Sequence, residues 1–129
     1  MYQIATEETF QDGQTIFDEG SSGDWVYVID SGAVELSKHV KGEKIVIELL
    51  GPGDIFGELA FVAHVPRTAT ARAVGQTTIG IIDRNFLDQE YNKLSQHFQV
   101  ILKTLALRLK KTTEAIVNSK IAEAGSKSS

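Results

Sequence analysis

The sequence predicts an α+β fold, with a β-domain first and helices after it. Short segments rich in β-branched and aromatic residues, separated by glycine-containing turns, fill the first two-thirds of the 129 residues. Neither glycine nor proline occurs between Arg84 and Gly125, and apolar residues there recur every three or four positions. Strands and helices therefore follow one another in series and do not alternate, which is the order of an α+β protein.

Size and composition indicate a single domain. A chain of 129 residues normally builds one hydrophobic core. Its composition, 42% hydrophobic and 23% charged, is that of a folded globular protein. We expect one domain over residues 1–121, with the strands at about 8–83 and the helices at about 84–121. Residues 122–129 are expected to form a flexible tail.

The predicted strands are separated by strong turn signals. Residues 33–40 alternate apolar and polar side chains, as a half-buried strand does. The run Gly-Pro-Gly-Asp at residues 51–54 is a turn after the first group of strands. Many short strands with glycine-rich turns favour a sandwich, a jelly roll or a barrel. In chain order, the predicted strands cover residues 15–18, 25–29, 33–40, 44–50, 68–74 and 77–83.

Two helices are predicted after the strands. Asp83 is suited to cap a helix that begins near Asn85, and Ser95 is suited to cap a second, longer one. The longer helix is amphipathic, and its apolar side packs either on the β-domain or against a second copy of the chain. We call this side the apolar stripe; it consists of Leu94, Phe98, Ile101, Leu102, Leu105, Leu109 and Ile116.

Charge and composition argue against several classes of function. The net charge of −4 opposes binding to nucleic acid or to an anionic membrane. No apolar run approaches the roughly 18 residues of a membrane span, and no secretory signal precedes the domain, so we expect a cytoplasmic protein. The chain has no cysteine, and its three histidines lack metal-ligand spacing. No nucleophile and base are paired in sequence, so we expect neither an enzyme nor a metal site.

Residues 54–73 carry the pattern most typical of a ligand site. Gly57 precedes a run suited to one or two helical turns, whose first N–H groups lack partners and can face an anion. Pro66 stiffens the chain before Arg67, whose guanidinium can bind a phosphate through two hydrogen bonds. Glu58 would repel a bare phosphate, but its carboxylate can accept a hydrogen bond from a neighbouring sugar hydroxyl. Together these residues indicate a nucleotide-like ligand.

The same residues resemble the phosphate-binding cassette of cyclic-nucleotide-binding domains. The match consists of Phe-Gly-Glu-Leu-Ala at residues 56–60 and Pro-Arg-Thr-Ala-Thr-Ala-Arg-Ala at residues 66–73, and we call residues 56–73 the cassette. The resemblance extends from about Phe10 to Ile121. It implies an eight-stranded antiparallel β-roll, similar to a jelly roll, with a short cassette helix and two C-terminal helices.

The resemblance also implies the role of each site residue. Arg67 would bind the cyclic phosphate, and Glu58 would accept from the ribose 2′-hydroxyl. Thr68 occurs in relatives of both base preferences, so it does not distinguish cyclic AMP from cyclic GMP. On family grounds alone, the expected ligand is cyclic AMP. The expected ligand-binding residues are Phe56, Gly57, Glu58, Leu59, Ala60, Arg67, Thr68 and Ala69.

In this family the C-terminal helices transmit the signal, so we expect a hinge near residues 83–91 and a possible homodimer through the long helix.

Catabolite-activator relatives continue into a DNA-binding domain. No basic recognition helix follows here, and we expect no DNA binding by this chain. Two alternatives stay open. One is a ligand-silent module that dimerises through the long helix, and the other is a sensor of another small anion.

Overall fold

Two long antiparallel strands form the middle of the sheet in this computed structural model, which describes residues 3–127, with side chains through residue 122. The sheet order is β1-β6-β3-β4, with β2 paired to β6 and β5 paired to β3. All pairings are antiparallel. In chain order the strands are β1 (Ile4–Phe10), β2 (Thr15–Phe17), β3 (Tyr27–Val40), β4 (Glu43–Leu50), β5 (Ile55–Phe56) and β6 (Thr70–Ile82).

The described part of the chain has six strands where the resemblance implied eight. The difference arises mainly because β3 runs through Gly32 and β6 runs through Gly75, so each joins two segments that the sequence divides. The β3–β6 register shifts on both sides of Ser31, so the strand bends there without ending. The order of the strands and helices along the chain confirms the α+β fold.

Gly32 allows this bend because no side chain fits there. Its φ is +88°, and a Cβ atom would lie 2.5 Å from the Gln76 carbonyl oxygen. Beside it the buried Thr77 hydroxyl donates to the Ala33 carbonyl oxygen at 2.9 Å. The two long strands are therefore joined closely where both change direction.

The first strand, Ile4–Phe10, begins before the predicted β-domain at residue 8. Its sequence is mostly polar and its side chains are mostly exposed, so it lacks the alternation that marks a half-buried strand. Pairing with β6, and not its own pattern, makes it a strand.

The core of the β-domain lies under the cassette. Tyr27 and Phe56 stack with ring centroids 5.0 Å apart. A second cluster, formed by Val26, Phe61 and Ile82, packs under the first C-terminal helix. The first cluster comprises Tyr27, Ile29, Val34, Leu50, Phe56, Ala71 and Ile79.

Three helices complete the fold: α1 (Glu58–Ala63), α2 (Arg84–Asn92) and α3 (Gln96–Lys127). The predicted caps are confirmed, because Asp83 Oδ1 accepts from the Phe86 N–H at 2.9 Å and Ser95 Oγ accepts from the Phe98 N–H at 3.2 Å. Helix α3 continues past the expected end at Ile121 and includes Gly125. The expected tail at residues 122–129 therefore begins as helix, since one glycine costs only about 1 kcal/mol in a long helix; residues 128 and 129 lie outside the described part.

Most of the apolar stripe does not face the β-domain; the exception is Leu109, which lines a cavity between α3 and the sheet. A neighbouring face, which includes Lys110, Thr113 and the buried Val117, packs there instead. Phe98 is 62% exposed and Leu105 is 56% exposed. Of the two partners that the sequence allowed for the stripe, the β-domain therefore leaves most of it uncovered.

Candidate ligand-binding site

A cavity of about 200 Å³ opens between the cassette, the sheet and α3. All of the expected site residues line it except Phe56, which lies behind it in the core. The lining residues are Phe17, Leu36, Lys38, Ile47, Glu48, Gly57, Glu58, Leu59, Ala60, Arg67, Thr68, Ala69, Leu109, Lys110 and Thr113.

Gly57 brings the two halves of the cassette together. It precedes α1 with φ at +81°, a conformation that glycine adopts without strain. A Cβ atom here would lie 2.7 Å from Arg67 Nη1 and 2.9 Å from the Trp25 carbonyl oxygen. The absent side chain thus leaves the space in which the guanidinium of Arg67 lies.

Arg67 is held on several sides and is only 4% exposed. Its Nη1 donates to the Gly57 carbonyl oxygen at 2.9 Å, and its Nη2 donates to the Trp25 carbonyl oxygen at 2.8 Å. The guanidinium carbon lies 4.2 Å from the centre of the Phe17 ring. Burial lowers the pKa of Arg67 from its usual value, although a guanidinium with so high a starting pKa keeps its proton.

The charge of Arg67 is not balanced by a carboxylate. Among the side chains described through residue 122, Arg67 takes part in no ion pair. Its fixed hydrogen bonds reach neutral carbonyls, which leave the full positive charge in place. A buried and uncompensated cation at a cavity wall favours an anionic ligand.

The backbone of Arg67 is anchored as firmly as its side chain. Its N–H donates to the Ser21 carbonyl oxygen at 2.9 Å, and its carbonyl oxygen accepts from the Gly20 N–H at 2.7 Å. The loop between β2 and β3 therefore positions the end of the cassette.

Glu58 begins α1 at the mouth of the cavity and stays exposed to solvent. Desolvation by the surrounding protein nevertheless raises the pKa of its carboxyl, and the Glu48 carboxylate raises it further. A backbone hydrogen bond and the Arg67 guanidinium lower this pKa, but their influence is smaller. In its ionised form the Glu58 carboxylate can accept a hydrogen bond from a neutral donor such as a hydroxyl group.

Several residues that line the cavity were not predicted from the sequence. Lys38 and Glu48 lie on strands of the sheet, and Thr113 lies on α3. No local motif marks them, because only strand pairing and helix packing bring them to the cassette. Their side chains add charged and hydrogen-bonding groups to those that the cassette supplies.

The part of the chain that contains the cassette matches a known family. The family model described as "Cyclic nucleotide-binding domain" matches residues 7–93, and the chain belongs to that family. The cassette resemblance found in the sequence is thereby confirmed.

Individual relatives agree with that membership. The chain is 31% identical over 110 residues to the CRP-like cAMP-activated global transcriptional regulator of Mycobacterium tuberculosis, covering 84% of this chain and 49% of that protein. It is 35% identical over 82 residues to the cAMP-dependent protein kinase regulatory subunit of Yarrowia lipolytica, covering 64% of this chain and 21% of that protein. The chain thus spans half or less of the length of these relatives.

Among solved structures, the cAMP-bound form of the EAL enzyme Bd1971 superposes with a TM-score of 0.80 and 26% identity, covering 94% of this chain and 32% of that one. The cGMP-bound form of the same protein superposes with a TM-score of 0.76 and 28% identity, covering 81% of this chain and 28% of that one.

Neither a metal-binding cluster nor a membrane-spanning helix is found in the described part of the chain. Within residues 3–122, no group of three or more His, Cys, Asp or Glu side chains is placed to hold a metal ion. Over the same range, no helix combines the length and the hydropathy that a membrane crossing needs.

Proposed function

We propose that this chain is a non-catalytic sensor of a cyclic nucleotide, and that it binds cyclic AMP in the cavity beside Arg67. The observation that carries the proposal is the buried guanidinium of Arg67, which is fixed by two neutral carbonyls and forms no ion pair with any carboxylate among the side chains of residues 3–122. A cyclic phosphate supplies the single negative charge that this position lacks. The same proposal keeps the cytoplasmic location expected from the sequence.

The other cassette residues bind the rest of the ligand. Glu58 accepts a hydrogen bond from the ribose 2′-hydroxyl, and its position at the cavity mouth supports this role. Backbone groups of Gly57, Leu59, Ala60 and Thr68 complete the phosphate and sugar contacts. Phe56 acts indirectly, since its ring stacks on Tyr27 beneath the site.

The preference for cyclic AMP over cyclic GMP is supported by the relatives. The M. tuberculosis regulator and the Y. lipolytica kinase subunit both carry cAMP in their names. Bd1971 has been solved with either nucleotide, so cyclic GMP is the necessary competitor in any binding experiment.

We further propose that ligand binding is transmitted through α2 and α3. Arg84 of α2 pairs with Asp24 at 2.7 Å, and Asp24 immediately precedes Trp25, whose carbonyl oxygen accepts from Arg67. The rings of Phe61 in α1 and Tyr91 in α2 pack in a T-shaped arrangement, with centroids 6.2 Å apart. A shift of the cassette thus reaches α2 directly through Phe61 and indirectly through Trp25 and Asp24. If α2 and α3 show the same hydrogen exchange with and without ligand, this route is wrong.

A homodimer through α3 is the second candidate function, because most of the apolar stripe is exposed and is not covered by the β-domain. Exposed apolar residues that follow one helix face are suited to pair with an equivalent helix. If the chain dimerises and binds no nucleotide, it is an interaction module with the fold of a sensor.

The deciding experiment is calorimetry with cyclic AMP and cyclic GMP on wild type, Arg67→Lys and Glu58→Ala. Each charge-assisted hydrogen bond contributes about 1.5–3 kcal/mol, so Arg67→Lys should weaken binding by about tenfold or more. Arg72→Lys is the matched control, because Arg72 belongs to the cassette but is exposed and does not line the cavity. Wild type that binds neither nucleotide at millimolar concentration contradicts the proposed function. Equal affinity in wild type and Arg67→Lys contradicts the assignment of the site.

A further inference from the structure

Lys38 is a buried cation at the cavity wall to which the proposed function gives no role. It lies on β3, on the cavity side of the sheet, and is only 7% exposed. The residue two positions earlier on the same face, Leu36, is apolar and also lines the cavity. Lys38 thus places a charged side chain at a position where burial disfavours charge.

The Lys38 ammonium connects three parts of the chain. It donates to the Thr68 carbonyl oxygen at 2.5 Å and to Glu19 Oε2 at 3.1 Å. Glu19 in turn accepts from the His39 N–H at 3.2 Å, and its own N–H donates to Thr70 Oγ1 at 2.9 Å. The end of the cassette is thus attached to β3 and to the loop after β2 through one ammonium group.

Stability alone is a poor reason for this arrangement. A buried ion pair recovers little more than its desolvation cost, and an apolar pair of similar volume often serves as well or better. What the ion pair adds is a defined position for the Thr68 carbonyl. Because the peptide bond is planar and trans, fixing that carbonyl also fixes the Ala69 N–H, which points away from the ammonium.

We propose that Lys38 is a positioning residue for the anionic ligand: it orients the Thr68–Ala69 peptide of the cassette and adds its positive charge to the cavity that contains Arg67. This inference rests on the proposed function. Glu19 offsets part of the added charge and holds the ammonium against the cassette, so the two members of the pair have different effects on the ligand.

The test compares cyclic AMP binding by wild type, Lys38→Met, Lys38→Arg and Glu19→Gln. Lys38→Met should weaken binding by about tenfold, and Lys38→Arg should restore most of the loss because it keeps a cationic donor. Glu19→Gln keeps an acceptor for His39 and removes a negative charge, so affinity should stay equal or rise. Lys44→Met is the matched control; Lys44 pairs with Glu35 on the same sheet and does not line the cavity.

The amide resonance of Ala69, measured without ligand, gives a second readout. It should shift in Lys38→Met and stay in place in Lys44→Met, while melting temperatures verify that each variant is folded. Equal loss of affinity in Lys38→Met and Glu19→Gln shows a merely structural pair and overturns the inference. Wild-type affinity in Lys38→Met overturns it as well and leaves the proposed function intact. If wild type itself binds no cyclic nucleotide, the proposed function fails first and the inference fails with it.

Discussion

The cassette and helix α3 hold their characteristic residues in opposite ways. Arg67 of the cassette is 4% exposed, and its donors are already directed by carbonyl groups on two sides. Phe98 of α3 is 62% exposed and lies on a face that the β-domain does not cover. The candidate site is therefore held in place by contacts within the chain, whereas α3 presents a surface that gains contacts only from a further partner.

Substituting Gly57 by alanine should have the largest effect, because it changes the organised region directly. The new Cβ would lie 2.7 Å from Arg67 Nη1, so the guanidinium must move. We expect cyclic AMP affinity to fall about a hundredfold, which corresponds to the loss of one or two charge-assisted hydrogen bonds. Calorimetry measures the change.

Gly53→Ala is the control for backbone strain. Gly53 has φ at +87°, but a Cβ there would meet nothing within 4 Å. Both variants should lose some stability, of the order of 1 kcal/mol, through the positive φ. If Gly53→Ala loses as much affinity as Gly57→Ala, the contact with Arg67 is not the cause.

The second effect concerns α3. Phe98→Asp places a charge in the exposed apolar stripe, and the dissociation constant of a dimer formed through this face should rise about tenfold or more. Sedimentation at several protein concentrations measures it. Val100→Asp is the control, because Val100 is 63% exposed but projects from the opposite side of the helix. Equal sedimentation of wild type and both variants would contradict pairing through the stripe.

The smallest effect is a pH dependence from Glu58. Desolvation raises the pKa of Glu58, and the ribose hydroxyl requires its ionised form as acceptor. Affinity should therefore decrease a few-fold as the pH falls through the raised pKa, starting above the usual range of a glutamate.

The stability of the unliganded protein should respond in the opposite sense. The folded state retains the Glu58 proton more strongly than the unfolded state, so this group favours folding at low pH and the contribution is lost as the pH rises through the folded pKa. Glu58→Gln should remove both dependences. Titration calorimetry and thermal melting across pH 4–7 measure them, and unchanged pH profiles in Glu58→Gln would assign them to another group.

The same two regions show what a sequence can reveal. Features that depend on neighbouring residues were predicted. They are the short helix after Gly57, the approach of Arg67 to it, and the caps Asp83 and Ser95. The periodicity of α3 predicted the helix but not the face that packs, because Lys110 and Thr113 are as acceptable at a cavity wall as leucine. Local patterns describe elements well, and they describe the assembly of elements poorly.

Residues brought together by strand pairing were not predicted. Lys38 and Glu48 reach the cavity from β3 and β4, and the partners of Lys38 are 19 and 30 residues away in sequence. The strand count failed for a related reason. Gly32 and Gly75 are typical turn residues, yet each lies within a continuous strand, because the β3–β6 pairing resumes beyond both positions after a shift of register.

The position of Leu109, Lys110 and Thr113 over the cassette has a consequence for binding rates. These residues of α3 form one wall of the cavity. If the proposed function holds, a nucleotide enters or leaves most readily when α3 moves aside, so association should be slower than diffusion allows. On the proposed function, the lifetime of the complex would then be set by α3, while its affinity would be set by the cassette.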